Sequence, residues 1–413
     1  MQASWHGICV IDPWLRDYVG HGFNYANSIS HAARSRGLEF RLVAARDCMP
    51  SIRQILPVEP IFRPLPMETS DRNNWAAQVL EKCAKLGLNY ARFSGDLSAM
   101  DARSMDRGWI LFLENARHFS LLALSRWLHK FRPAKAPAFV VMVWFSYFDK
   151  RKGRWGETAA LVRLAFRMLE RASRKYRIRL VADSQQLADE YRSLTRLPVR
   201  VLPLPCTSDV LLQSMGAPRF PLGHAMNVLL PGRPSLSRGI ATLAAAIKRL
   251  VDHGQCADLT FTLQDYQTPG REPELDRAVV MLRQLGLPGL RIVQKTLDER
   301  EYYQMMADAD LVVLPYFQEV YRVMSSGPFV EALALGKPVV VTEDTWMSDQ
   351  LQRFGAGLTV RDRDADDLAR VLCAARDDYP RLAEQAVARR ERWIAYHNPN
   401  SFVNELLKVA EEY

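Results

Sequence analysis

Residues 321–342, YRVMSSGPFVEALALGKPVVVT, have the residue types of a loop that binds phosphate and leads into a helix. Ser326 and Gly327 are small enough to let a phosphate approach the unpaired N–H groups at the helix start, where the helix dipole also favours an anion. Glu331 follows about one turn later, where its carboxylate can reach hydroxyl groups of the molecule that carries the phosphate. The same letters also fit an ordinary αβ unit in which Glu331 is a surface residue.

A second loop with this chemistry lies between an apolar run at residues 226–230 and a helical pattern that ends near residue 250. It contains Gly232, Arg233 and Arg238. Guanidinium forks neutralise phosphate charge while backbone N–H groups bond the oxygens. Two arginines beside a helix start therefore predict a clamp for a diphosphate.

Alternating strand and helix patterns position both loops. Further apolar runs predict strands at residues 258–264, 290–295, 311–316 and 339–342. Asp298 and Glu301 have the spacing of a capping box at the start of another helix. Residues near 207–224 are enriched in glycine and proline, and we predict a domain boundary there.

The first half shows the same alternation. Strands are predicted at residues 7–12, 39–45, 109–114 and 139–145. Residues 50–75 are rich in proline and predicted to be irregular, and a helix is predicted at about residues 74–86.

Glycine and polar residues follow several of these strands, at the sheet edge where α/β proteins bind ligands. The residues are Gly20, His21, Gly22, His118 and Asp149. We interpret the glycine loop as a place where a substrate approaches the backbone, and His118 and Asp149 as candidates for contacting that substrate. A simple turn and plain surface residues are the alternatives.

The net charge of the 413-residue chain is +9 and its sequence pI is about 9.3. This balance predicts an anionic partner: a nucleotide, a nucleic acid or an acidic membrane. Within residues 150–179, four arginines share one face of a predicted helix: Arg163, Arg167, Arg171 and Arg174. Apolar residues, Leu164 among them, are assigned to the other side, a pattern typical of a helix at a membrane surface. The alternative is the solvated face of a packed helix. No nucleic-acid-binding module is recognisable.

The six cysteines form no CxxC pair, so we expect reduced core thiols in a cytosolic protein. The N-terminus has no signal-peptide pattern, and the longest apolar run, residues 139–148, is too short to cross a bilayer. Asp308 and Asp310 open an apolar run and are interpreted as structural, so no metal site is predicted.

The sequence resembles the retaining GT-B glycosyltransferases, in particular family 4, over most of its length. The segments that carry the resemblance are the GR and RG pairs at Arg233 and Arg238, DADLVVLPY at 308–316, SGPFVEALALGKPVV at 326–340, ADSQQLADEY at 182–191 and VLPLPCTSD at 201–209. It is strongest at residues 226–359. The family's second basic residue is usually Lys.

The resemblance implies an α/β fold with two Rossmann-like domains facing across a cleft. The acceptor domain would be residues 1–210, the donor domain residues 222–393, and a helix at about residues 394–413 would cross back to the first domain.

The resemblance also implies a role for individual residues of the donor domain. Arg233 and Arg238 would hold the donor diphosphate and act catalytically, together with N–H groups near Ser326 and Gly327. Glu331 would hold the donor ribose. The backbone around Lys295 and Leu297 would contact the base. His118 is the catalytic candidate of the first domain.

The chain departs from the family at one carboxylate. The family commonly has a Glu eight residues before the position of Glu331, where this chain has Val323. Glu319 is close but out of register.

Together these features predict a cytosolic, metal-independent, retaining glycosyltransferase, peripheral at the inner face of a membrane. It would use a nucleotide-diphosphate sugar and no further cofactor. The acceptor would be membrane-associated, such as a lipid-linked glycan in polysaccharide biosynthesis, and an anionic membrane surface, not nucleic acid, would be a partner. Two alternatives stay open: a GT-B nucleotide-sugar epimerase and a non-catalytic module that binds nucleotide sugar or membrane.

Overall fold

The chain forms two compact units, each built on a parallel β-sheet. A computed structural model describes residues 5–18, 22–65, 75–101, 104–149, 154–155, 159–205, 211, 213, 224–266 and 271–412. One unit comprises Met1–Pro205 and Pro399–Tyr413, and the other comprises Cys206–Asn398. The predicted boundary near residues 207–224 lies almost entirely outside the described residues.

The first unit contains a seven-stranded sheet in the order β3-β2-β1-β4-β5-β8-β9. Its strands are β1 (Gly7–Asp12), β2 (Glu39–Ala45), β3 (Val58–Phe62), β4 (Trp109–Leu113), β5 (Ala138–Val143), β8 (Ile178–Ala182) and β9 (Val199–Val201). Two short strands, β6 (Phe148–Asp149) and β7 (Arg154–Trp155), pair antiparallel outside it. The helices are α1 (Gly22–Arg34), α2 (Pro50–Ile55), α3 (Trp75–Ala99), α4 (His118–Trp127), α5 (Ala159–Ser173) and α6 (Gln185–Arg192). The central strands are buried along their whole length, as expected for a parallel sheet covered on both faces.

The prediction that residues 50–75 are irregular was wrong, because this region contains α2 and β3. Pro50 occupies the first turn of α2, where its missing N–H costs nothing. Pro60 lies inside β3, which is tolerated because β3 is the edge strand of the sheet.

The predicted helix at residues 74–86 is too short, because α3 continues to Ala99. Gly87 weakens a helix by about 1 kcal/mol relative to alanine. Beyond it, Phe93 and Leu97 are buried, and Asp96 accepts a hydrogen bond from Arg63 Nε at 2.8 Å. These contacts outweigh the helix-breaking tendency of the glycine.

The second unit contains a six-stranded sheet in the order β12-β11-β10-β13-β14-β15. Its strands are β10 (Met226–Leu230), β11 (Leu259–Gln264), β12 (Leu290–Val293), β13 (Leu311–Leu314), β14 (Val339–Thr342) and β15 (Gly357–Val360). The helices are α7 (Ile240–Asp252), α8 (Pro273–Gln284), α9 (Glu299–Asp308), α10 (Gln318–Tyr321), α11 (Gly327–Ala334), α12 (Trp346–Phe354), α13 (Ala365–Asp377) and α14 (Tyr379–Tyr396). In both sheets the chain runs outward from one central strand and then reverses, as in a doubly wound fold. The reversal points, between β1 and β4 and between β10 and β13, are where such folds bind ligands.

The last helix, α15 (Pro399–Glu411), belongs to the first unit. Phe402 is fully buried, with its ring 5.3 Å from that of Tyr25 and 5.7 Å from that of Phe112. Arg36 Nη1 donates a hydrogen bond of 2.6 Å to Asn400 Oδ1. An aromatic core and a polar rim therefore hold α15 to the first unit.

The cysteines are less uniform than predicted. Cys9 and Cys48 are buried free thiols, but Cys256 and Cys373 are free thiols that are only half-buried. Cys206 and the side chain of Cys83 lie outside the described residues.

Candidate functional site

The loop after β10 is held in a shape that only glycine adopts without strain. Gly232 has a φ of 90°, and its N–H donates a 2.7 Å hydrogen bond to Gln264 Oε1 at the end of β11. A Cβ at this position would lie 2.5 Å from Nη1 of Arg238 and 3.7 Å from Cγ of Pro328. The loop after β10 therefore meets both Arg238 and the start of α11.

Arg238 is held in place by contacts with this loop and with an aromatic ring. Its Nη1 donates a 3.3 Å hydrogen bond to the carbonyl of Arg233, and its guanidinium lies 5.7 Å from the ring centroid of Tyr316. Arg238 is half-buried, whereas the side chain of Arg233 is exposed. The two predicted clamp residues thus differ: one guanidinium is oriented by the fold and the other is open to solvent.

The start of α11 is capped by a side chain and has few free N–H donors. Ser326 is the N-cap, and its Oγ accepts a 3.4 Å hydrogen bond from the N–H of Phe329. Pro328 carries no N–H, so a phosphate at this turn would rely mainly on the N–H of Gly327 and on the arginines. At the other end of the helix, Gly336 has a φ of 67°, in the left-handed region.

Glu331 is buried, with 6% of its surface exposed, and is not the ordinary surface residue of the alternative interpretation. Its Oε2 accepts a 2.9 Å hydrogen bond from the hydroxyl of Tyr302 in α9. Burial raises the pKa of Glu331 to about 7, although the Tyr302 hydroxyl and the charge of Arg238 act in the opposite direction. Tyr302 was not predicted as a site residue, because no sequence pattern connects it to Glu331, which lies 29 residues further along the chain.

The segment predicted to meet the base lies between β12 and α9. Lys295 is exposed and forms an ion pair with Glu301, and Leu297 is half-buried. Asp298 and Glu301 form the predicted capping box. The side chain of Lys295 is therefore engaged with α9, which leaves the backbone of this segment as its contribution to a ligand site.

Position 323, where the family commonly has a carboxylate, is occupied by an apolar side chain, and the nearby Glu319 is engaged elsewhere. Val323 is buried, with 2% of its surface exposed. Glu319 Oε2 lies 3.1 Å from Nη2 of Arg363 and forms an ion pair with it.

Two buried carboxyl groups lie at the reversal point of the first sheet. Asp12 ends β1, and Glu114 follows β4; the N–H of Glu114 donates a 3.1 Å hydrogen bond to the carbonyl of Ile11. Asp12 Oδ1 accepts a 2.9 Å hydrogen bond from the N–H of Trp14. Among the described residues, none donates a hydrogen bond to the buried Oε2 of Glu114.

When both carboxyl groups are ionised, their negative charges repel each other. Burial raises the pKa of Asp12 to about 6, and burial together with the charge of Asp12 raises the pKa of Glu114 well above its usual range. The pair therefore holds a proton more tightly than free carboxylates do. A site of this kind can both donate to and accept from the hydroxyl groups of a ligand.

Of the site residues predicted in the first unit, only some can be compared with the position of this pair. Gly22 is adjacent, since a Cβ on it would lie 3.0 Å from Asp12 Oδ2. His118 begins α4, is buried, and has its ring 6.3 Å from that of Tyr147. Gly20, His21 and the side chain of Asp149 lie outside the described residues. The signal that could have found Asp12 and Glu114 is an acidic residue at the end of each of two central strands.

The basic helix predicted near residues 150–179 corresponds to α5. Its arginines are exposed and its inner face, including Val162, Phe166 and Leu169, is fully buried against the first unit. The assignment of Leu164 to the apolar side was wrong, because 48% of this residue is exposed. The apolar periodicity of α5 is therefore largely explained by packing.

None of the helices within the described ranges is both long enough and apolar enough to span a membrane.

Comparison with known proteins agrees with this geometry. Residues 226–378 match the family model described as glycosyl transferases group 1. A search of curated proteins found no significant match to the sequence.

Several solved structures share the fold over nearly the whole chain. Sucrose-phosphate synthase from Thermosynechococcus elongatus is 16% identical, with a TM-score of 0.68 and 98% of each chain covered. Anabaena HepE in complex with UDP and glucose is 16% identical, with a TM-score of 0.62 and coverage of 98% of this chain and 99% of that one. An α,α-trehalose-phosphate synthase (UDP-forming) from Burkholderia xenovorans, in complex with glucose-6-phosphate, is 9% identical, with a TM-score of 0.64 and coverage of 98% and 100%.

The predicted α/β class and GT-B architecture are thus confirmed. Residues 226–378 thus match the glycosyl transferases group 1 model, and the whole chain shares its fold with these GT-B structures.

Proposed function

We propose that the protein transfers a sugar, with retention of anomeric configuration, from a nucleotide-diphosphate sugar bound at the reversal point of the second sheet. The observation that carries this proposal is the meeting of Gly232, Arg238 and the start of α11 within a few ångströms. A diphosphate fits there because a glycine backbone, a fixed guanidinium and a helix N-terminus are the groups that bind phosphate oxygens.

In the proposed reaction, the bond between the anomeric carbon and the diphosphate oxygen breaks, and negative charge develops on the leaving diphosphate. Arg238, Arg233 and the N–H of Gly327 stabilise that charge, and this electrostatic stabilisation lowers the barrier. Because the arginines supply the positive charge, we infer that no metal or further cofactor is needed. Glu331 accepts hydrogen bonds from the donor ribose, and the backbone at Lys295 and Leu297 meets the base.

We place the acceptor at the reversal point of the first sheet. Asp12 and Glu114 support this assignment because they offer buried acceptors and a shared proton to hydroxyl groups. His118, Asp149 and the loop at residues 20–22 are the remaining candidates, with His118 contacting the transferred sugar.

We propose a membrane-associated acceptor, such as a lipid-linked glycan, and a cytoplasmic protein that binds an anionic inner membrane face. The four exposed arginines of α5 and its following turn support this, since each basic residue near such a surface contributes about 1 kcal/mol. Co-sedimentation with anionic vesicles should fall with salt and fall most in a variant with Gln at positions 163, 167, 171 and 174. Unchanged binding of that variant would exclude α5 as the contact.

A thermal-shift screen against UDP, GDP, ADP and their sugars tests the donor assignment, because a ligand that binds the native state raises its stability. UDP and UDP-glucose come first, since HepE has been crystallised with both. Arg238→Ala should strongly reduce the shift in a protein that still folds. The donor assignment fails if no nucleotide diphosphate stabilises the wild type.

Val323 favours one alternative, a nucleotide-sugar-binding module without turnover, because a buried valine stands where the family commonly has a carboxylate. NMR of the donor during incubation separates the possibilities. Slow hydrolysis with retained anomeric configuration indicates the transferase, a converted sugar indicates an epimerase, and unchanged donor at saturation indicates the module.

A further inference from the structure

A basic groove of about 440 Å³ lies on the first unit, at the sheet edge opposite the carboxyl groups of Asp12 and Glu114. It is formed by the C-terminal half of α5, the beginning of β8 and the residues that precede β9. Its lining residues are Arg167, Glu170, Arg171, Ser173, Arg174, Arg179, Arg196, Leu197 and Pro198. Because β8 and β9 run parallel, these residues meet at the amino ends of the strands, away from the proposed acceptor residues.

The positive charge of this groove is poorly neutralised. Five of its lining residues are arginines and one is an acid, Glu170. Within the described part of the chain, the side chains of Arg167, Arg171, Arg174 and Arg196 form no ion pair, and all four are exposed. Like charges at this density raise the energy of the empty groove, and an anion that enters it relieves their repulsion.

Glu170 organises the groove more than it neutralises it. Its Oε1 accepts hydrogen bonds of 2.7 Å from Thr195 Oγ1 and from the N–H of Arg196. These bonds hold the loop before β9 against α5, so that Arg196 is placed on the far side of the groove from the helix. The arginines therefore converge from two separate elements.

Stabilisation of the helix C-terminus explains only part of this cluster. Arg171 and Arg174 lie in or just beyond the last turn of α5, where positive charge complements the helix dipole. Arg167 lies nearly two turns before the end, and Arg196 belongs to another element. The dipole effect falls off within the last turn and does not account for these two residues.

We propose that this groove is a second anion site, which binds a ligand through a phosphate monoester or diphosphate group. Guanidinium forks bind such oxygens in pairs, and arginines on both walls can contact a group with several charged oxygens at once. The site is distinct from the proposed donor site, which lies in the other unit. Two sources carry this chemistry: the headgroup of an anionic lipid and a soluble phosphorylated molecule.

The first experiment measures the binding of inorganic pyrophosphate by calorimetry, with and without saturating UDP. The double variant R171Q/R196Q removes one arginine from each wall of the groove. R163Q/K175Q is the matched control, because it removes the same charge from α5 and the turn after it without changing a lining residue. The groove variant should bind pyrophosphate at this site about tenfold more weakly or worse, and the control should bind like the wild type.

UDP separates this result from the donor proposal. A groove site persists when UDP is present, whereas pyrophosphate bound at the donor site is displaced by it. R167Q/R174Q gives a second, independent pair of groove changes, and an unchanged melting temperature shows that each variant is folded.

Vesicles of equal parts phosphatidic acid and phosphatidylcholine identify the source of the phosphate. If the groove variants lose vesicle binding in parallel with pyrophosphate binding, and the charge-matched control R163Q/K175Q keeps both, the ligand is a lipid headgroup. If they lose pyrophosphate binding alone, the ligand is soluble. The proposal is overturned if groove and control variants bind pyrophosphate equally, or if UDP displaces all of the bound pyrophosphate.

Discussion

The two sheets share one topology, but the buried carboxyl groups near their reversal points are satisfied differently. In the second unit, Glu331 is bonded to Tyr302 and Gly232 to Gln264 before any ligand is bound. In the first unit, the buried Oε2 of Glu114 receives no hydrogen bond from any described residue. A buried polar atom without a partner costs about 1–3 kcal/mol, and a ligand hydroxyl that donates to it recovers that energy.

This difference indicates two ways to build a binding site on one fold. The second unit holds its charged groups in place through protein contacts, so little ordering is required when a diphosphate binds. The first unit instead has a buried carboxyl pair with raised pKa values, and under the proposed function the hydroxyl groups of the acceptor would complete its hydrogen bonds. The arrangement in the second unit suits an anion of fixed geometry, and the arrangement in the first unit suits a neutral ligand with many hydroxyl groups.

The largest effect is expected from Arg238→Ala. Loss of the fixed guanidinium should weaken UDP binding by about 1.5–3 kcal/mol, the scale of a hydrogen bond to a charged group, with little effect on uridine. Arg233→Ala should cost less, because Arg233 is exposed and its interaction with phosphate is screened by water. Calorimetry measures all three affinities. Equal losses for UDP and uridine would show that Arg238 does not bind the diphosphate.

The next effect concerns Glu331. Glu331→Ala should weaken donor binding by about 1–2 kcal/mol, and Glu331→Gln by less, since Gln keeps one acceptor oxygen. Tyr302→Phe is the matched change, because it removes the hydroxyl that positions the carboxylate without removing the carboxylate itself. Its effect should lie between those of the other two variants. Full donor affinity in Glu331→Ala would mean that the ribose lies elsewhere.

The parts of this site differ in how visible they are in the sequence. The strands around both reversal points are continuous apolar runs, and the glycine and arginine residues beside α11 stand out by type. Asp12 and Glu114 are single acids that become a pair only when β1 and β4 are known to be neighbours in register. Tyr302 and Glu331 belong to different helices, α9 and α11, and meet only in the folded chain. The strand that contains Pro60, β3, was not predicted. A proline is tolerated there because β3 is an edge strand, and that position is not evident from the sequence alone.

A smaller effect is expected on stability at the carboxyl pair of the first unit. The pKa of Glu114 is raised in the folded state, so the unfolded chain loses this proton at lower pH than the native protein does. Stability is therefore lost as pH rises above about 4, where an unfolded glutamate ionises. Glu114→Gln removes this loss and should stabilise the protein by about 1 kcal/mol at neutral pH, and by less at about pH 4.

Thermal unfolding across this pH range measures that difference. Glu384→Gln is the control, because it makes the same chemical change at an exposed position on α14. If Glu114→Gln instead destabilises the protein more at neutral pH than at about pH 4, the carboxyl group is ionised and held by partners, and the contrast between the two units disappears.

The smallest effect compares UDP with 2′,3′-dideoxy-UDP as pH changes. Burial raises the pKa of Glu331 to about 7, so this group is mostly neutral at about pH 6 and mostly ionised at about pH 8. A carboxylate accepts hydrogen bonds from ribose hydroxyls more strongly than the neutral acid does. The affinity ratio of UDP to the dideoxy analogue should therefore rise severalfold across this range, while the titration of the phosphates, common to both ligands, cancels. In Glu331→Gln the ratio should be independent of pH. A wild-type ratio that stays constant would show that the ribose does not contact Glu331, even if both ligands bind well.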